Sequence, residues 1–216
     1  MCAADNPADF IRQNCRLQSP PLNPELKLWL AADDLPLWQM GEEALEQAGL
    51  EAPFWAFAWA GGQALARYLI EHPQEVAGKR VLDFGAGSAI AGIAAMKAGA
   101  AHVTASEIDP FCDPAIQLNA AENNVAITFS GDDFVNTTPP FDVILAADVC
   151  YEAAPARAIR HWLYGLAQQG TRVLVGDPGR TYFSAENMRR IAHYPVKTDS
   201  RVEDTDLRNA AVWEFF

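Results

Sequence analysis

The sequence predicts an α/β protein. A doubly wound, mostly parallel seven-stranded sheet with an antiparallel C-terminal strand follows an N-terminal helical extension. Three observations predict it. Short β-rich runs alternate with helical patterns of about 10–15 residues, the texture of a parallel sheet built by crossover connections. RVLDF, residues 80–84, runs straight into the glycine-rich turn GAGS. The chain closes on HYPVKTD and RNAAVWEFF, whose alternation suits an antiparallel pair. At 216 residues and 50% hydrophobic, the chain can bury a core of two or three layers as one domain.

In chain order, residues 1–52 read as the helical extension: DNPADFIRQNCRL, PELKLWLAA after two prolines, then PLWQMGEEALEQAGL. The Rossmann-like core is expected over residues 53–216. FWAFAWA is densely aromatic, and Phe54, Trp55 and Phe57 are expected in the core because large aromatic rings dominate core burial. Gly61-Gly62 opens an amphipathic helix, QALARYLIEHP. After the strand RVLDF, Ser88 is expected to cap a helix of small residues closed by Gly99. AHVTASE is the second strand, and Asp113-Pro114 has the order of an N-cap followed by a first helical residue. AITFS, FDVILAA and TRVLVG supply three more strands, with RAIRHWLYGLAQQ as a helix before the last of them.

Composition narrows the function. Net charge is −12 with no basic run, so nucleic acid is not an expected partner. An acidic surface suits a cationic or lysine-bearing partner. No stretch approaches the ~20 apolar residues that span a bilayer, so no membrane role is expected. The start, MCAADNPADF, resembles neither a secretory nor a mitochondrial leader, which makes the expected location cytoplasmic. Cys2, Cys15, Cys112 and Cys150 show no CxxC spacing and the four histidines are scattered, so neither a metal site nor a disulfide framework is expected.

In doubly wound sheets ligands bind beyond the carboxyl ends of the strands, at the point where strand order reverses. Here that means the residues just after each strand. A dinucleotide fingerprint needs G-x-G-x-x-G; Gly85 and Gly87 supply two glycines but the third position is Ile90. Asp83, still on the strand, would repel a pyrophosphate at the helix N-terminus. It would favour a cofactor with positive charge and no phosphate, which describes S-adenosylmethionine. Glu107 ends the second strand, placed to hold both ribose hydroxyls. Asp132 and Asp133 follow the third strand, where an adenine amino group could donate. Ala147 lies at the end of the fourth strand on the same ligand-bearing edge and completes the cofactor set.

The segment 80–151 resembles a class I (seven-β-strand) methyltransferase. FWAFAWAGGQALARYLIEHP, VLDFGAGSAIAGIAAMKAGA, ASEIDP, DVCYE and GDPGR further resemble the electron-transfer-flavoprotein β-subunit lysine methyltransferase family, over roughly residues 54–216. In one departure, the family's third glycine is Ala89 here, small enough for close approach. The resemblance implies catalytic and substrate-binding roles for Asp148 and Tyr151, a substrate role for Arg180, and Trp59 closing over the cofactor. A lysine of pKa about 10.4 must lose a proton before it can attack, which costs roughly 4–5 kcal/mol at pH 7. A carboxylate beside it raises that pKa, so Asp148 is expected to recruit and orient the amine rather than to strip its proton. Arg180, in GDPGR, could also brace the acceptor loop.

The resemblance implies a protein-lysine N-methyltransferase, with the electron transfer flavoprotein β subunit as favoured substrate and a ribosomal protein as another. A small-molecule N- or O-methyltransferase is the alternative, and a non-catalytic binding module is a third. An open, acidic acceptor mouth would favour a protein; an enclosed aromatic pocket would favour a metabolite.

Overall fold

Asn6 caps the first helix, α1 (Pro7–Asn14), by accepting from Asp9 N at 3.2 Å, and Pro7 fills a position where no backbone donor is needed. The computed structural model describes residues 6–31, 52–198, 203 and 205–216. Beyond α1 it departs from the expected helical extension. CRLQ and LWLA form an antiparallel hairpin, β1 (Cys15–Gln18) with β2 (Leu28–Ala31), registered from Cys15↔Ala31 to Gln18↔Leu28. Leu28 and Leu30 are buried while Trp29 and Ala31 are half-buried, a period of two. The open edge of β2 finds side-chain partners. Trp29 N donates to Asn119 Oδ1 at 2.7 Å, Lys27 N donates to Asn123 Oδ1 at 3.1 Å, and Asn123 Nδ2 donates to Lys27 O at 2.6 Å. Asn119 on the helix Cys112–Glu122 and Asn123 at its C-terminal cap thus stand in for a neighbouring strand, which a local helical pattern in β2 cannot reveal. The helix expected over PLWQMGEEALEQAGL lies outside the described residues.

The aromatic segment leads into α2 (Ala60–Glu71). Then come β3 (Arg80–Phe84), α3 (Ile90–Lys97), β4 (His102–Ser106), α4 (Cys112–Glu122), β5 (Thr128–Ser130), β6 (Val143–Ala147), α5 (Ala153–Gln168), β7 (Arg172–Asp177), β8 (Met188–Lys197) and β9 (Leu207–Phe215). The seven-stranded sheet has the order β5-β4-β3-β6-β7-β9-β8. Strands β3 to β7 pair in parallel; β9 slots between β7 and β8 and is antiparallel to both.

Strand alternation divides the core into two. Val81, Val103, Val143, Leu145 and Leu174 face α2, α3, α4 and the hairpin. Leu82, Ile144, Ala146, Val173 and Val175 face α5, against Trp162, Leu163 and Leu166. Residues 90–95 of α3 are all buried, which is why its sequence is nearly all small. Ser88 does not cap α3. Ala89 holds the cap position with φ 58°, and Asp83 supplies from the strand the acceptor expected of Ser88. Likewise α4 begins at Cys112, with Asp113 inside its first turn accepting from Gln117 Nε2 at 3.1 Å. Strand order reverses between β3 and β6, so the carboxyl ends of β3, β4, β6 and β7 share one edge.

Candidate active site

The cofactor half begins where β3 ends. Gly85, Gly87 and Ala89 all take positive φ (64°, 50° and 58°), so the chain reverses through alternate left-handed residues. Gly85 N and Ala86 N donate to Ser106 O at 3.0 and 3.1 Å, which pins the turn to the end of β4. Asp83 is 2% exposed, and its Oδ2 accepts from Gly92 N, in the first turn of α3, at 2.8 Å. Burial pushes its carboxyl up to about 7, against the pull of that hydrogen bond. The strand acid therefore occupies a donor that a phosphate would use. Glu107 accepts from Ile108 N at 2.9 Å and from Gly87 N at 3.3 Å, and burial raises its pKa. A carboxylate at the turn and no spare first-turn donor at Gly92 fit the hydroxyls and cationic groups of S-adenosylmethionine. Asp132 and Asp133 are exposed after β5. Ser130 Oγ donates to Asp132 Oδ2 at 2.8 Å, and Val135 N donates to Asp133 Oδ1 at 2.9 Å. Ala147 is half-buried at the end of β6.

The acceptor half lies across the switch point. Asp148 follows β6 at φ 57° with its side chain 9% exposed. Its Oδ2 accepts from Gly62 N at 2.8 Å; its Oδ1 accepts from Arg180 Nε at 3.0 Å and Nη2 at 2.6 Å. Burial pushes Asp148 up to about 7 against the pull of Arg180, with Glu203 and Asp177 adding to the rise. The Arg180 guanidinium also lies 5.3 Å from the Trp59 ring centroid, a cation–π geometry. Trp59 Nε1 donates to Phe54 O at 2.9 Å, and the Phe54 ring lies 5.5 Å from Tyr151. Tyr151 is 55% exposed and Phe54 48%, so Phe54 is not the core residue expected of it, although Trp55 at 1% is. Phe54 is drawn out of the core by ring contacts with Tyr151 and Trp59 at the mouth.

The halves touch. A Cβ built on Gly85 would lie 2.9 Å from Val149 Cγ1, between Asp148 and Tyr151, and one on Gly87 would lie 3.9 Å from Phe54 O. Glycines whose close approaches the sequence does not announce bring this about. A Cβ on Gly92 would lie 2.8 Å from Asp83 Oδ2, so the close-approach glycine sits two residues beyond position 90. A Cβ on Gly61 would lie 2.6 Å from Asp148 Oδ2 and collide with the Gly176 carbonyl, which explains the Gly-Gly pair. Glu203, also missed, accepts from Ala60 N at 3.0 Å and pairs with Arg180. Nothing local marks it as special. A cavity of about 310 Å³ opens beside Trp59, lined among the described residues by Pro20, Phe57, Lys197 and Glu203. Gly85, Gly87 and Glu107 do not line it. Among the described residues no helix is long and apolar enough to cross a membrane.

The chain resembles known proteins in both sequence and fold. The ribosomal protein L11 methyltransferase (PrmA) family matches residues 64–156. Among solved structures, a putative RNA methyltransferase from Pyrococcus horikoshii superposes with a TM-score of 0.53 at 16% identity, covering 71% of this chain and 81% of that one. Magnesium protoporphyrin IX methyltransferase from Synechocystis PCC 6803 with bound SAM gives a TM-score of 0.53 at 15% identity, covering 72% and 78%. At these identities the structures speak for the fold alone. The Xenopus laevis electron transfer flavoprotein beta subunit lysine methyltransferase is 36% identical over 220 residues, 99% of this chain and 88% of the relative. The Homo sapiens protein of that name is 33% identical over 217 residues, 95% of this chain and 80% of the relative. A glycine turn that fits an S-adenosyl cofactor, an Asp148–Tyr151 motif beside it, and this identity over nearly the whole chain agree: the protein belongs to the electron transfer flavoprotein beta subunit lysine methyltransferase family and is an S-adenosylmethionine-dependent methyltransferase.

Proposed function

We propose that the enzyme methylates a lysine side chain of the electron transfer flavoprotein β subunit. The observation that carries the reading is the open acceptor mouth. Tyr151 and Phe54 stand half-exposed beside the buried Asp148–Arg180 pair, so a side chain borne on a protein surface can reach in. The chain's net charge of −12 suits a lysine-bearing partner, and the relatives' substrate supplies its identity. When bound, S-adenosylmethionine supplies a methyl group already activated on a sulfonium.

The residues then divide the work. Glu107 holds the cofactor from the end of β4, Gly85 and Gly87 give it room, and Asp83 positions the turn by fixing α3. Asp132 and Asp133 receive its far end, while Ala147 and Trp59 border it. Tyr151 and Phe54 flank the aliphatic stem of the lysine. Asp148 orients the amine, with Arg180 neutralising much of its charge. That neutralisation matters because an unpaired carboxylate would raise the lysine pKa and hold it as an ammonium without a lone pair. Desolvation of the amine between Tyr151 and Phe54 lowers that pKa, and water takes the proton. Residues 53–216 act as the cofactor-binding core, with residues 1–52 as an extension. The free thiols Cys15, Cys112 and Cys150 suit a reducing cytoplasm.

The test is incubation of the purified enzyme with labelled S-adenosylmethionine and either the β subunit or whole-cell lysate. Label on a lysine of the β subunit is expected. Label on a ribosomal protein instead would change the substrate, and label confined to small molecules would overturn the reading.

A further inference from the structure

We infer that Glu203, on the β8–β9 connection, is a positioning residue of the acceptor site, holding Arg180 and through it Asp148 against the first turn of α2. The inference rests on Asp148 lining the acceptor, as proposed above. Glu203 is 4% exposed and lies 143 residues from Ala60 and 23 from Arg180. Its Oε1 accepts from Ala60 N at 3.0 Å and lies 3.4 Å from Arg180 Nη2. Its Oε2 lies 3.1 Å from Arg180 Nη1 and 3.6 Å from Arg208 Nε. Asp148 mirrors this arrangement, taking Gly62 N with one oxygen and Arg180 with the other. Two carboxylates far apart in the sequence thus share the first-turn donors of α2 and one guanidinium.

The geometry separates two roles for Glu203. As a helix cap it needs only an acceptor oxygen at Ala60. As a holder of Arg180 it needs a charge. A buried ion pair is a weak source of net stability, because removing its ions from water opposes their attraction. Its value here is directional: a planar guanidinium gripped on two sides, with its face toward Trp59, cannot swing out of line with Asp148.

Glu203→Gln keeps an oxygen for Ala60 N and removes the charge. The expected result with the β subunit as acceptor is a fall in kcat of about tenfold, with S-adenosylmethionine Kd within about twofold of wild type and KM little changed. The decisive measurement places the same change in an Asp148→Asn background. If Glu203 acts through Asp148, the double variant is no slower than Asp148→Asn alone. Arg180→Lys, which keeps the charge but loses the fork, serves as the second variant and should behave the same way in both backgrounds. Additive losses, an unchanged kcat in Glu203→Gln, or a cofactor Kd that weakens in step with kcat would each overturn the inference. Wild type is run alongside. Absence of label from wild type refutes the acceptor assignment, whereas equal label from wild type and Glu203→Gln refutes only the role of Glu203.

Discussion

The two halves of the site are built differently. On the cofactor side the ties are short in sequence: Gly92 reaches Asp83 across 9 residues and Gly87 reaches Glu107 across 20. Backbone donors do the holding, and left-handed residues shape the turn. On the acceptor side Gly62 reaches Asp148 across 86 residues and Ala60 reaches Glu203 across 143, with Arg180 between the two carboxylates. The cofactor half can form as soon as β3, α3 and β4 are together. The acceptor half exists only when α2, the ends of β6 and β7, and Glu203 have all come together. One half tolerates error in distant packing; the other concentrates it.

Glycine substitutions test this contrast with the largest effect. A methyl at Gly61 meets the Gly176 carbonyl and the Asp148 carboxylate, neither of which can yield without moving α2 off β7. Gly61→Ala is expected to destabilise the fold by about 3 kcal/mol, at the upper end of overpacking costs, and to abolish transfer. A methyl at Gly87 finds its nearest neighbour at 3.9 Å, so Gly87→Ala should lose only the left-handed preference, about 1 kcal/mol. Urea unfolding of both variants gives the comparison directly. Equal destabilisation would mean that the acceptor half is not the tightly packed one.

Single-side-chain changes separate the halves by function. Asp148→Asn keeps both hydrogen-bonding oxygen and shape at Gly62 but loosens Arg180, and a misplaced acceptor can lose about 100-fold in rate. Its cofactor affinity should stay within about twofold of wild type. Glu107→Gln should do the reverse, weakening S-adenosylmethionine by about tenfold through lost charge-assisted hydrogen bonds while leaving kcat at saturating cofactor nearly intact. Titration calorimetry and steady-state rates on the same two proteins would show whether the roles cross over.

The same contrast explains what could be read from the chain. The parallel sheet, its reversed last strand and the acids at the ends of β3 and β4 are legible because each is a local pattern: a strand, a turn, a residue at a known offset. Asp83 was legible as a residue hostile to phosphate, though not as the acceptor for Gly92 N. The hairpin was not legible, since the free edge of β2 and the residue before it are held by Asn119 and Asn123, 90 and 96 positions away. Glu203 carried no signal at all. It lies in no motif, and only the folded chain brings it beneath Ala60 and Arg180. Gly61 was visible as half of a Gly-Gly pair and Gly176 as the start of GDPGR, but not that the two backbones meet.

Asp83 offers a pH-dependent version of the test on the cofactor side. Its folded pKa, about 7, lies above the usual carboxylate value of 3.8, so the folded state binds the proton more tightly. Stability from this group is fully present below about 4 and is lost as pH rises through about 7. Asp83→Asn cannot ionise and still offers an oxygen to Gly92 N. It should gain about 4 kcal/mol over wild type at pH 8, with the gain vanishing near pH 4. A difference between the two proteins that does not change with pH would remove the case for a buried, reluctant carboxylate.

The smallest effect belongs to Ala89, where three terms nearly cancel. Its φ of 58° is a left-handed conformation that disfavours alanine by about 1–2 kcal/mol, and glycine would be free of that penalty. Glycine, however, gives the unfolded chain more freedom, a loss of about 0.4–1 kcal/mol. It also removes a methyl group that is fully buried, worth about 0.8 kcal/mol. Ala89→Gly should therefore lie within about 0.5 kcal/mol of wild type in urea unfolding, and its cofactor Kd should be unchanged. The balance explains why alanine can stand where the family's third glycine is expected: close packing of α3 on β3 is secured at Gly92, which leaves position 89 needing only to be small. A gain well above 1 kcal/mol would mean that the methyl group contributes nothing to the packing of α3, and that the turn carries strain which Gly92 does not relieve.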